Sequence, residues 1–119
     1  MDWKLVPALA ASAVMLFFGI AAAVRPAALQ PLLGVAAESP LGTSEIRAVF
    51  GGMFVAFGLA CIVLREPVVF AVVGTAWLAD FAVRLVSVFV DRVPAKDALV
   101  VLGIALVIGG ALLSGYWLA

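Results

Sequence analysis

Residues 68–90 read VVFAVVGTAWLADFAVRLVSVFV, 23 positions with two charged side chains and no proline. As a helix rising 1.5 Å per residue the stretch is about 35 Å long, enough to cross the roughly 30 Å hydrocarbon core of a bilayer. Its charges are Asp80, near the midpoint, and Arg84. An ionised side chain at the centre of a membrane helix costs about 2.5–3.5 kcal/mol on insertion scales, so it needs a partner or a purpose. Four-residue spacing puts these two on one helix face, where they can pair. Ser87 and Asp91 continue that stripe, and polarity rises toward the Asp91 end.

Reading outward, Arg65-Glu66-Pro67 is a connection so short that helices two and three are expected to be antiparallel neighbours. Helix two is expected over residues 44–64, capped by Thr43 or Ser44, with Glu45 in a first turn whose dipole favours an acid. Ahead of it, residues 27–42 hold Pro31, Gly34, Pro40 and Gly42 among Leu29, Leu32, Leu33 and Val35. That segment is too interrupted to span and too apolar for a solvated loop; it reads as interfacial or shallowly re-entrant. Arg25-Pro26 stops helix one, the uncharged 20-residue run 5–24. Ala21-Ala22-Ala23 would suit leader cleavage, but Met1-Asp2-Trp3-Lys4 is not clearly basic and the run exceeds a signal core, so it reads as a retained helix. On the other side, residues 91–97 close helix three. Helix four is expected over 98–118, with Tyr116 and Trp117 as interface anchors and Trp3 anchoring the other terminus. The expected architecture is one all-α domain, residues 1–119. It is a polytopic four-transmembrane-helix bundle with a short interfacial segment between helices one and two.

Composition agrees with that reading. The chain is 67% hydrophobic and 12% charged, against roughly half and a quarter in soluble domains. The excess apolar surface requires lipid as solvent. A net charge of zero gives no pointer to nucleic acid. Histidine is absent and the single cysteine, Cys61, sits in an apolar run, so zinc, haem and iron–sulfur sites lack their usual ligands and no cofactor is implied. Cys61 reads as a packing residue. The longer loops carry Arg25, Arg47, Arg92 and Lys96, and the opposite face carries Lys4 and Arg65. By the positive-inside tendency the longer loops are expected in the cytoplasm and the termini outside.

Small residues recur four apart at Ala48/Gly52, Ala105/Gly109, Gly110/Ser114 and Ala111/Gly115, spacing that lets membrane helices approach closely. Helix two begins on the side where the polar stripe of helix three ends. Arg47 continues down its face through Gly51 and Gly58, a groove in which that stripe could pack, bringing Arg47 to Asp91 and Glu45 to Arg84. Glu45, Arg47, Asp80 and Arg84 sum to zero charge, as a buried network should. The network reads either as a ligand- or ion-facing site or as a lock that fixes helix register.

Glu45-Ile46-Arg47-Ala48-Val49-Phe50-Gly51-Gly52 resembles the E-x-R-A-x-[YF]-G-G signature of an uncharacterised bacterial family of small four-helix membrane proteins, a domain of unknown function. Residues 84–91, RLVSVFVD, are similar to its second signature, an arginine and serine followed by an aspartate after helix three. That pattern continues D-G, whereas here Asp91 is followed by Arg92. The general layout is also similar, more distantly, to DoxX-like four-helix proteins. The resemblance implies the fold, a bacterial inner-membrane setting and a shared site around Glu45, Arg47, Arg84, Ser87 and Asp91, with Gly51 and Gly52 in the helix contact. It implies no activity.

Three functions are compatible with these residues. A binding or transport module would take a small amphipathic or anionic ligand, or a lipid headgroup, at Arg47 and Arg84, since guanidinium matches carboxylate and phosphate through paired donors. In a proton-coupled form Asp80 or Glu45 would titrate. An accessory subunit of a homo-oligomer or larger membrane complex would have no chemistry of its own. An enzyme acting on lipid or quinone would use Asp80 or Glu45 as acid–base. However, no nucleophile–base pair, metal motif or nucleotide loop supports catalysis, and no catalytic residue is assigned.

Overall fold

Proline, glycine and serine set the helix ends in the computed structural model, which describes residues 3–118; Met1, Asp2, Ala119 and the side chain of Leu33 lie outside that description. A 3-10 turn, Trp3–Leu5, leads into α1, Val6–Val24. Helix α2, Pro26–Leu33, ends on Gly34, whose left-handed backbone (φ 69°) lets its N–H reach the Gln30 carbonyl at 2.9 Å. Helix α3 spans Pro40–Leu64, α4 spans Pro67–Val90 and α5 spans Ala95–Trp117. No strand occurs among the described residues. The class is all-α, as expected. The runs Trp3–Val24, Pro40–Leu64, Pro67–Val90 and Ala95–Trp117 are each long and apolar enough to cross a membrane. No more than 33% of any of these windows is buried. Most of each helix therefore faces outward with Val, Leu and Phe side chains, the composition lipid requires.

Three helix starts differ from expectation. Helix α3 begins at Pro40, not near residue 44, because Ser39 is extended and its hydroxyl accepts the Gly42 N–H at 3.1 Å. A serine cap followed by proline in the first turn is a stronger start than Thr43 or Ser44. Glu45 consequently lies past the first turn. Helix α5 starts at Ala95, three residues early, which moves Lys96 and Asp97 out of the loop and into its first turn. Pro67 opens α4 one residue early as a first-turn proline, with no side-chain cap bond from Glu66. A wide π turn over Ile46–Met53 lies inside α3, and no side-chain pattern marks it.

The chain forms two compact units, Ser12–Leu64 and Met1–Ala11 with Arg65–Ala119. In the first, most of α1 packs on α3. A Cβ added to Gly51 would lie 2.8 Å from the Ala23 Cβ, one on Gly58 2.9 Å from Ser12 O and Leu16 Cβ, and one on Gly19 2.8 Å from Val55 N. Contacts run down α1 as they run up α3, so the two helices are antiparallel. Backbones this close tolerate only hydrogen at those positions. The groove of Gly51 and Gly58, expected to receive the stripe of Asp80 to Asp91, is filled by α1. Gly52 is exposed and open around its Cα. The Phe18 and Phe54 rings meet alongside, tilted, with centroids 5.6 Å apart, and Ser12, Met15 and Cys61 are buried.

In the second unit α4 and α5 run antiparallel by the same device. A Cβ on Gly74 would meet Leu113 at 3.0 Å, and one on Gly109 would meet Leu78 at 3.0 Å. Gly115 lies against Phe70 and Ala8, with Phe70, Ala105 and Leu112 buried. Of the small pairs in the sequence, Ala105/Gly109 faces this interior, whereas Gly110 is exposed with nothing within 4 Å.

Candidate functional site

Helix α4 carries the charges farthest from any helix end. Asp80 lies 13 residues after Pro67 and ten before Val90, about 20 Å and 15 Å along the axis. Arg84 donates from Nε to Asp80 Oδ2 at 2.7 Å. Side chains on a helix lean toward its N-terminus, so this direction carries the guanidinium deeper into the span, away from the nearer Asp91 end. One turn on, Ser87 Oγ donates to Asp91 Oδ2 at 2.5 Å. The stripe is thus two bonded pairs in series, 80 with 84 and 87 with 91.

Arg84 and Asp80 side chains are 41% and 38% exposed, so the pair is not sealed in protein. With Nε occupied, the outer edge of the guanidinium fork, its two Nη groups, has no partner among the described residues. That edge presents parallel N–H donors suited to a carboxylate, phosphate or sulfonate.

The helix-two half of the expected site has a different occupation. Arg47 Nη1 donates to the Ala23 carbonyl at 2.8 Å. Helix α1 ends at Val24, so Ala23 is among the last four carbonyls, which have no partner within the helix. Arg47 supplies that bond and puts a cation at the negative end of the α1 dipole. Gly51, one turn later, packs on the same Ala23. The two polar or small positions of the E-x-R-A-x-F-G-G segment therefore act together as a clamp on the end of α1. Both lie within the π turn, whose wider spacing sets their directions. Glu45, immediately before that turn, is exposed, and its carboxylate has no hydrogen bond or ion pair among the described residues. Ala23 was not legible as a site residue, since a main-chain acceptor leaves no mark on side-chain identity.

A multi-pass α-helical membrane protein with an open ion pair deep in one span is the class that this fold and site define. No family model, curated protein or solved structure matches the chain.

Proposed function

We propose that the protein binds the anionic headgroup of an amphipathic molecule at Arg84. The carrying observation is the geometry of the pair: Asp80 holds Arg84 by Nε alone, which orients the fork and leaves its outer edge for a second acceptor. Ser87 and Asp91 extend polarity from that point to the end of α4 and give a headgroup a polar route from the membrane surface. Arginine is the side chain suited to planar two-point recognition of carboxylate or phosphate. The likeness of residues 45–52 and 84–91 to the bacterial four-helix family supports a bacterial inner membrane, and the basic loops support termini outside the cytoplasm. Arg47 enters this reading as the residue that fixes α1.

The test is equilibrium binding of a radiolabelled alkyl sulfonate to the protein in non-ionic micelles. Wild type should bind it saturably. Arg84→Lys should weaken binding by roughly tenfold, through loss of the fork with retention of charge. The double change Asp80→Asn/Arg84→Gln, which leaves no stranded charge, should abolish it. Undiminished binding by the double variant overturns the assignment.

A further inference from the structure

We infer that the corner where α1 gives way to α2 binds the phosphate headgroup of an anionic membrane lipid, held by Arg25 and Arg47. The site lies within the Ser12–Leu64 unit and does not depend on Arg84. Arg47 Nη1 donates to the Ala23 carbonyl at 2.8 Å, which fixes its fork and leaves Nε and Nη2 without a partner among the described residues. Ala23 precedes Arg25 by two residues, and the Arg25 N–H still bonds to the Ala21 carbonyl at 2.8 Å. Helical spacing therefore holds over this step and puts the Arg25 Cα about 5.5 Å from that of Ala23. The Arg25 side chain is exposed and has no hydrogen bond or ion pair among the described residues. Two guanidinium groups are thus brought to one helix end, one anchored and one free to close on an anion.

The acids of the unit leave both arginines unneutralised. Residues 12–64 contain two, Glu38 and Glu45, both exposed and neither bonded to Arg25 or Arg47. Glu45 is two residues from Arg47, a spacing that sends helix side chains to different faces. Helix α2 begins at Pro26, so the positive end of its dipole adds to the two guanidinium charges. The place of the corner sets the kind of anion. Helix α1 belongs to a membrane-length run that ends at Val24, so Arg25 follows it at the level of lipid headgroups. Val24, Leu32, Val35 and Leu41, on the segments around the corner, are exposed and apolar, surface suited to acyl chains. A soluble anion would use the arginines and leave those side chains bare, whereas a phospholipid uses both. Basic pockets at helix ends are recurrent headgroup sites, and guanidinium forks match phosphate through paired donors.

The test is saturable binding of radiolabelled short-chain phosphatidylglycerol to the full chain in non-ionic micelles. Arg25→Gln should bind one equivalent fewer than wild type, whatever Arg84 binds. Its thermal midpoint should be unchanged, because the Arg25 side chain has no partner to lose. Arg25→Lys, which keeps the charge but not the fork, should retain that equivalent with affinity lowered by about tenfold at most. Arg47→Gln should lose the same equivalent, and the two changes together no further one. Phosphatidylcholine of equal chain length, which carries no net charge, should take this equivalent at least about tenfold more weakly. An Arg25→Gln protein that binds as many equivalents as wild type overturns the assignment, as does equal affinity for phosphatidylcholine. Loss of two equivalents in the double variant overturns the shared site. Displacement of the lipid by inorganic phosphate would make the corner a soluble-anion site and overturns the lipid assignment. Absence of saturable lipid binding by wild type overturns it outright.

Discussion

Arg92 sits at φ 55°, left-handed backbone that a β-carbon disfavours. It follows Asp91 at the end of α4, where the Val93 N–H reaches back to the Val88 carbonyl at 3.3 Å. That is the six-to-one bond of a Schellman ending, whose left-handed position is ordinarily glycine. Arg92 holds this position with a β-carbon, at a cost. Arg92→Gly should raise stability by about 1 kcal/mol, visible as a higher midpoint of thermal unfolding in detergent. Arg84 should behave in the opposite sense. Arg84→Ala strands the Asp80 carboxylate in the span and should destabilise more than Asp80→Ala/Arg84→Ala, which removes both charges. The pair is too open for the 3–5 kcal/mol of a fully enclosed bridge, and a penalty of about 2 kcal/mol is expected. Equal stability of the single variant and wild type would show that Asp80 has water around it.

At the scale of elements, the antiparallel α1/α3 contact depends on hydrogen at Gly51 and Gly58. Gly51→Ala would place a methyl carbon within 2.9 Å of the Ala23 main chain, and backbone cannot swing aside as a side-chain tip can. A loss of about 2–3 kcal/mol is expected, typical of overpacking in a close contact. Gly51→Leu should still insert, since leucine suits lipid, but should separate the helices. Gly110→Ala, at an open position on α5, is the control and should be neutral or stabilising by about 0.5–1 kcal/mol through helix propensity. Comparable losses at Gly51 and Gly110 would mean that the α1/α3 contact is not close. Arg47→Gln should cost about 1 kcal/mol, the value of one hydrogen bond to an otherwise orphaned carbonyl.

For the whole molecule, four membrane-length helices are expected to return the chain to the side on which it started. Reporters fused before Met1 and after Ala119 should give the same compartment signal, and one inserted in the loop between α4 and α5, which carries Arg92, the opposite signal. Opposite signals from the two ends would require an odd number of crossings and would remove one span from the assignment.

The sequence by itself determined the spans and the ion pair, because both are local. Twenty consecutive apolar residues have one stable conformation in lipid, in which every backbone group must bond within its own segment. Asp80 and Arg84 meet because they are one turn apart on that helix, whatever packs beside it. The helix starts were legible only to within three or four residues, since Ser39-Pro40 and Thr43-Ser44 both offer caps and the stronger one wins. Tertiary structure alone decided the role of Arg47 and the occupant of the Gly51–Gly58 groove. Arg47 bonds to a carbonyl 24 residues away, and every residue has a carbonyl, so composition cannot point to Ala23. Small residues announce that some helix comes close, but which helix comes is settled by the competition among all the helix faces at once. The π turn belongs to the same category: it changes the direction of Arg47 without any side chain that announces it.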